Sequence, residues 1–220
     1  LADLGRAPRF PMLVEVWDAN VLTSPSVQTW IPLPEEGPPM IEGIFEQILS
    51  GEKAAFAGAA EAQLPSRIDD SLCRGALQLA TLFQRLGYFG RCSFDALVTG
   101  ANSNVGAIHW IECNARWGGS SIPMSLVKRL TGGDETPHYV IVQDDSKSFP
   151  PLAFSTAHRR FADLTPPAIF LSGVIFLTPN MMEAGIGCHI LSFGENAVSA
   201  AAQAKAVLDR LSTSGSLGSP

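Results

Sequence analysis

The chain has 220 residues, 46% of them hydrophobic and 16% charged, with a net charge of −6. That is a globular composition with one sizeable core, and a mildly acidic chain with no basic stripe is not a nucleic-acid binder. The longest apolar run, Ala168 to Leu177, is short of the roughly 20 residues a bilayer span needs, and "LADLGRAPRF" lacks the layout of a signal peptide.

"MLVEVWDANV" (Met12 to Val21) predicts a strand, rich in β-branched and aromatic residues. "SVQTWI" (Ser26 to Ile31) predicts a second, closed by the proline-rich loop "PLPEEGPP". "MIEGIFEQILSG" (Met40 to Gly51) fits a short helix or a strand, and "AAFAGAAEAQLP" is equally ambiguous. Asp69 to Gly87 has the clearest helical spacing. Asp69, Asp70 or Ser71 can cap its start, and Leu72, Leu79, Leu82, Phe83 and Leu86 form its apolar stripe.

Two β-runs follow, Gly90 to Val98 and Gly106 to Cys113, joined by the turn-rich "TGANSN". Ser121 to Gly133 predicts a short helix with a glycine stop. "YVIVQD", "AFSTAHRRFAD", "AIFLSGVIFLTP" and "GCHILSFGE" predict strands. Asn196 to Leu211 predicts an alanine-rich helix capped by Asn196, ahead of a flexible tail. This mixture indicates an α+β or mixed α/β fold. Cys73, Cys92, Cys113 and Cys188 are scattered with no Cys-x-x-Cys pair, so reduced thiols, small core residues and a cytoplasmic protein are expected.

The chemistry concentrates in the two β-runs. If they form an antiparallel hairpin turning at Ser103 and Asn104, paired residue numbers sum to about 207 by strand geometry. Asp95 then faces Glu112, Ser93 faces Asn114, Leu97 faces Trp110 and Val98 faces His109. Alternation places Ser93, Asp95, Leu97, Trp110, Glu112 and Asn114 on one face, with Ile111, Cys113 and His109 toward the core. Carboxylates opposed across a ladder repel. The remedies are a proton, an arginine or a divalent cation. Asp, Glu and an Asn carbonyl are the hard oxygen donors Mg²⁺ takes. Glu112 and Asn114 lie about 7 Å apart along the strand. Side chains tilted together there would suit metal ions about 4 Å apart. Arg116 continues the face with a guanidinium suited to a phosphate or carboxylate. The amides of Gly118 to Ser121, at a helix start, favour anions. The other reading is structural: a salt bridge of Asp95 or Glu112 with Arg91 or Arg116. His158, Arg159 and Arg160 read as solvated residues on a strand.

The pattern "GYFGRCSFDALV", a turn, then "IHWIECNARWGGSS" resembles the C-terminal catalytic lobe of the ATP-grasp superfamily. The resemblance is specific over Gly87 to Leu130. It implies that Asp95, Glu112 and Asn114 hold Mg²⁺ ions on ATP phosphates and that Arg116 acts at the acyl phosphate. "LVEVWDANVLTSPSVQTWI" looks like the family's adenine-hinge strand, which places Glu15, Val16 and Trp17 at the base; Asp18 is a poor match for the ribose. The Gly118 and Gly119 amides would hold a substrate group. The fold implied is an antiparallel sheet with flanking helices over 1–135, a small C-terminal α/β module over 136–211, and a tail over 212–220. The activity implied is an ATP-dependent carboxylate–amine ligase acting on small molecules, such as an amino acid or peptide. A carboxylase or other ligase with a non-amine acceptor, or a non-catalytic nucleotide-binding module, are the alternatives. A homodimer is left open. The family's lysine-bearing first lobe has no match here, so a C-terminal fragment, inactive alone, is expected.

Overall fold

The computed structural model describes residues 14–51, 54–102, 106–132, 137–145, 150–164 and 172–212. In chain order the strands are β1 (Val21–Thr23), β2 (Pro25–Ile31), β3 (Met40–Ser50), β4 (Ala55–Glu61), β5 (Gly90–Thr99), β6 (Ala107–Asn114), β7 (His138–Asp144), β8 (Gly173–Phe176) and β9 (Cys188–Gly194). The helices are α1 (Ser66–Arg85), α2 (Ser121–Thr131), α3 (Phe154–Arg160), α4 (Pro179–Ala184) and α5 (Ala197–Ser212). The strands form one sheet in the order β1-β5-β2-β3-β4-β7-β9-β8, with β6 also paired to β5. Every pairing is antiparallel, so the α+β class holds.

Strand alternation divides the sheet into two buried faces. On one, α1 lays Ile68, Leu72, Ala76 and Ala80 over Val27, Ile31, Phe94, Ala96 and Val98. Further along that face, α3, α4 and α5 cover Val174, Cys188 and Ile190. On the other, α2 presses Met124 and Val127 onto Phe45, Ala59, Ile141, Leu191 and Phe193. The part of this second face that α2 leaves open becomes the floor of a cavity.

The ambiguous segments Met40 to Gly51 and 54–65 resolve as the strands β3 and β4. Neither can be assigned from its own residues, because ladder pairing decides them: β3 lies between β2 and β4, and β4 reaches the distant β7. β4 pairs with β7 at Gly58↔Val142. Gly58 has φ +149°, and a Cβ there would lie 2.1 Å from the Ile141 carbonyl oxygen. A glycine is required where two backbones approach this closely.

Four expectations change. Residues 14–20 form no regular strand, and β1 spans Val21–Thr23 alone; Met12 and Leu13 lie outside the described residues. β1 pairs with β5 only at Val21 and Thr23, so the residues before it have no ladder partner. Helix α1 starts at Ser66 rather than near Asp69: the Pro65 carbonyl accepts from the Ile68 and Asp69 amides, and Asp69 falls in the first turn, where its charge suits the helix dipole. The segment 153–163 is helical, not extended: Ala157 and Phe161, four apart, are its buried residues. His158, Arg159 and Arg160 therefore occupy the last turn of α3, and Arg160 donates to the Arg210 carbonyl at 3.0 Å. Helix α4 has no counterpart among the expected elements, although Pro179 at its first turn and Gly185 at φ +64° are start and stop signals. At the other end of the chain, Asn196 caps α5 as expected, its Oδ1 accepting from the Ser199 amide at 2.9 Å. The turn residues Ser103 and Asn104 and the tail from 213 lie outside the described residues.

Gly58→Ala should destabilise the protein by about 2 kcal/mol or more, since both the clash and the positive φ must be relieved. Gly51→Ala, at φ +68° with open space around the Cβ, should cost about 1 kcal/mol. Urea unfolding midpoints of the two variants would check the ranking.

Candidate functional site

A cavity of about 1140 Å³ opens on the sheet face beside α2. Its floor comes from β2 (Ser26, Gln28), β5 (Ser93, Asp95, Leu97) and β6 (Ile111, Glu112, Asn114), with Gln47 of β3 alongside. Glu15, Val16, Trp17 and Asp18 form one end. Arg116 and the Gly118–Ser120 loop form the other, with Phe56 and Gln143 behind it. The structure thus brings all nine residues singled out in the sequence to one cavity: Glu15, Val16, Trp17, Asp95, Glu112, Asn114, Arg116, Gly118 and Gly119.

The hairpin register explains the floor. Ser93↔Asn114, Phe94↔Cys113 and Asp95↔Glu112 pair as the numbering predicts. A β-bulge then shifts the register, giving Ala96↔Trp110, Leu97↔His109 and Val98↔Ile108. Three expectations are corrected by that one residue. Trp110 leaves the polar face and packs with Ile108 on the α1 core, its ring over Gly75, where a Cβ would meet Cζ2 at 2.7 Å. Ile111 turns into the cavity. His109 is not a core residue: its side chain is exposed, and Nδ1 lies 2.9 Å from Asp18 Oδ2. Asp18 is thereby tied to β6, pinning the otherwise irregular segment 14–20 at the cavity mouth.

Asp95 is 5% exposed. Its Oδ1 accepts from Ser26 Oγ at 2.5 Å, and its Oδ2 from Asn114 Nδ2 at 3.2 Å. Gln28 Nε2 donates to Ser26 Oγ at 2.9 Å, extending the network across β2. Arg116 Nη2 donates to Asn114 Oδ1 at 3.1 Å. Burial raises the Asp95 carboxyl above the usual aspartate range. Hydrogen bonds from Ser26 and Gln47 pull it back, and the facing Glu112 pushes it further up. The structural alternative for these carboxyls is not realised among the described residues: Arg91 pairs with Glu42, and Arg116 bonds Asn114.

Two opposed carboxyl groups, Asp95 buried and Glu112 exposed, fit a divalent cation, which would remove their mutual repulsion; Asn114 adds an amide oxygen. Among the described residues there is no cluster of three or more His, Cys, Asp and Glu side chains that could hold a metal. Any ion here would therefore rely on Asp95, Glu112, the Asn114 amide and oxygens from its ligand. Cys113, between Glu112 and Asn114, turns to the other face, with Sγ 3.5 Å from that of buried Cys92. All four cysteines are free thiols.

Sequence reasoning missed Ser26, Gln28 and Gln47. The alternation in "SVQTW", with Ser26 and Gln28 polar and Val27 buried, is the signal that could have found the first two. Gln47 and Gln143 sit in strands with no such pattern to mark them.

No protein-family model matches the chain, and no curated protein matches its sequence. Solved structures do. A biotin carboxylase from Campylobacter jejuni, in its β-γ-ATP complex, aligns at a TM-score of 0.59, with 18% identity over 90% of this chain and 47% of that one. The ADP complex of PurK, an N5-carboxyaminoimidazole ribonucleotide synthetase, aligns at 0.55, with 16% identity over 88% of this chain and 51% of that one. The synthetase of that name from Thermus thermophilus aligns at 0.57, with 11% identity over 88% and 51%. The chain has the fold of an ATP-grasp C-terminal part. It spans about half the length of the solved structures it matches. Among the described residues of this ATP-grasp fold, no helix is long and apolar enough to cross a membrane.

Asp95→Asn should raise the melting temperature at neutral pH without metal. A carboxyl whose folded value is raised binds its proton more tightly in the folded state, so its ionisation costs stability. The cost is absent below the ordinary aspartate range and complete once pH exceeds the raised value. Melting curves of wild type and variant should therefore converge as pH falls below about 4. Equal melting temperatures at neutral pH would contradict a buried Asp95 carboxyl facing Glu112.

Proposed function

We propose that the protein is an ATP-dependent ligase that joins a small-molecule carboxylate to an amine through an acyl phosphate. The observation that carries this is one shared cavity, with a segment suited to a nucleotide base at one end and Asp95, Glu112, Asn114 and Arg116 at the other. The likeness in fold to enzymes solved with ADP and with β-γ-ATP supports nucleotide binding.

In this reading Glu15, Val16 and Trp17 meet the adenine. Backbone groups of the irregular segment read its edge, and Asp18 is committed to His109. Asp95, Glu112 and Asn114 hold Mg²⁺, which when bound neutralises charge on the ATP phosphates. Ser26, backed by Gln28, holds Asp95 Oδ1 from the neighbouring strand, and Asn114 donates to Oδ2. Arg116 steadies the transferring phosphoryl group, where a fork of N–H donors matches developing negative charge. The Gly119 amide, just before α2, donates to the substrate carboxylate, while the Gly118 amide donates to Ser121 Oγ at 2.8 Å and holds the turn. The separation of charge along the cavity follows from the sheet: carboxyls on the strands, cation and amides on the loop. The domain assignment proposed is an ATP-grasp C-terminal lobe to residue 135 and a closing module over 136–211, joined through the β4–β7 ladder. Cytoplasmic residence and activity only in a longer chain belong to the same proposal.

A second reading, ATP-dependent carboxylation, is favoured by the names of two matching enzymes, biotin carboxylase and a phosphoribosylaminoimidazole carboxylase ATPase subunit. Product analysis with bicarbonate against a panel of amino acids and amines separates the two.

Replacing both Glu112 and Asn114 by alanine in the full-length protein should abolish ATP-dependent product formation. Retention of activity within about tenfold of wild type would remove the metal-holding role, since loss of metal ligands costs far more.

A further inference from the structure

The loop bearing Arg116 is held by a stack that lies beyond the cavity wall. Arg91 of β5 is two residues before Ser93, opposite Trp30 of β2. Its guanidinium carbon is 5.6 Å from the Trp30 ring centroid and 4.6 Å from that of Trp117, the neighbour of Arg116. Arg91 is also ion-paired with Glu42 of β3, and Glu42 Oε1 lies 3.7 Å from Lys128 Nζ of α2. The Arg91 and Glu42 side chains are 13% and 15% exposed. Arg91 is thus a fixed slab between two indoles, its charge matched from the sheet.

Trp117, by contrast, is half exposed, so what seats it is Arg91. Arg116 bonds within its own loop and strand: Nη2 to Asn114 Oδ1 at 3.1 Å, and Nη1 to the Trp117 carbonyl at 3.5 Å. These bonds shape the loop but do not join it to β5. On its other side Gly119 abuts Phe56, where a Cβ would lie 2.9 Å from the ring. Besides its bonds to Asn114 and to Ser121 of α2, the loop is packed at two points, Trp117 on Arg91 and Gly119 on Phe56.

We propose that Arg91 is a positioning residue: by stacking under Trp117 it sets where Arg116 and the Gly118–Gly119 amides stand relative to Asp95 and Glu112. The inference rests on the ligase reading above. Lysine cannot replace Arg91, because an ammonium pairs with Glu42 but offers no plane to the indoles.

The test uses the full-length protein. Arg91→Lys should lower kcat about tenfold or more while leaving the KM for ATP within about twofold, because Arg116 acts on the transferring group rather than on the nucleotide base. Trp117→Ala should fall as far. Trp117→Phe, which keeps a ring over Arg91, should recover kcat to within about threefold of wild type. The variant carrying Arg91→Lys and Trp117→Ala should be no lower than either alone, as expected for two halves of one contact. Losses that multiply, or wild-type kcat in Arg91→Lys, would overturn the proposal. Amide hydrogen exchange across residues 115–120 reads the contact without turnover. Exchange should quicken in Arg91→Lys and Trp117→Ala but not in Trp117→Phe. Unchanged exchange in Arg91→Lys overturns the positioning role whatever the activity. A wild-type protein that forms no ATP-dependent product, yet shows the expected exchange, retains the positioning role and loses the ligase reading.

Discussion

Two carboxyl groups, Asp95 and Glu112, face each other across adjacent strands on the floor of a cavity, one of them almost wholly buried. That repulsion organises its surroundings. Ser26 and Asn114 donate to Asp95, Gln28 backs Ser26, and Arg116 holds the Asn114 amide. Each donor comes from β2, β6 or the loop after β6. The network therefore exists only where β5 lies between β2 and β6, as it does near one end of the sheet. Donors alone reduce the cost of the burial without removing it, since the Asp95 carboxyl stays raised.

The β-bulge beside Glu112 lets one short hairpin serve two surfaces. On one side of it, β6 offers Glu112 and Asn114 to the cavity; on the other, Ile108 and Trp110 face the α1 core. The Trp110 ring fills the space over Gly75, so core packing pins the bulge in place and the bulge aims the carboxyl. The same shift frees His109 to reach Asp18. Core, floor and cavity mouth are coupled through a single inserted residue. The cationic end is built separately, from the 116–119 loop clamped between the Arg91–Trp117 stack and Phe56.

Much of the site is legible in the sequence because its spacing is local. Asp95, Glu112, Asn114 and Arg116 lie on a hairpin whose alternation can be counted, and the counted register holds where the carboxyls meet. It fails two residues away, since a bulge leaves no mark in a run such as "IHWIEC". Elsewhere β3 and β4 are ambiguous in the sequence, and α3 reads as a strand. Their short apolar runs have no long period to count, and sheet neighbours or the α3–α4 contact decide them. Segment 14–20 looks like a strand by composition but lacks a ladder partner, and composition cannot reveal that.

The sequence by itself determined the long helices α1 and α5, the strands β2, β5, β6, β7 and β9, and the set of polar residues on the hairpin. Each is a pattern within about twenty neighbouring residues, short enough for periodicity and capping to specify. Tertiary structure alone decided which surface each residue serves. Ser26, Gln28 and Gln47 join the floor, Arg91 takes Glu42 rather than a site carboxyl, and Glu15 to Trp17 close the far end. The reason is that these choices depend on contacts between residues far apart in the chain, such as Ser24 with Glu46 and Ser26 with Asp95, where burial and ladder pairing override local preference.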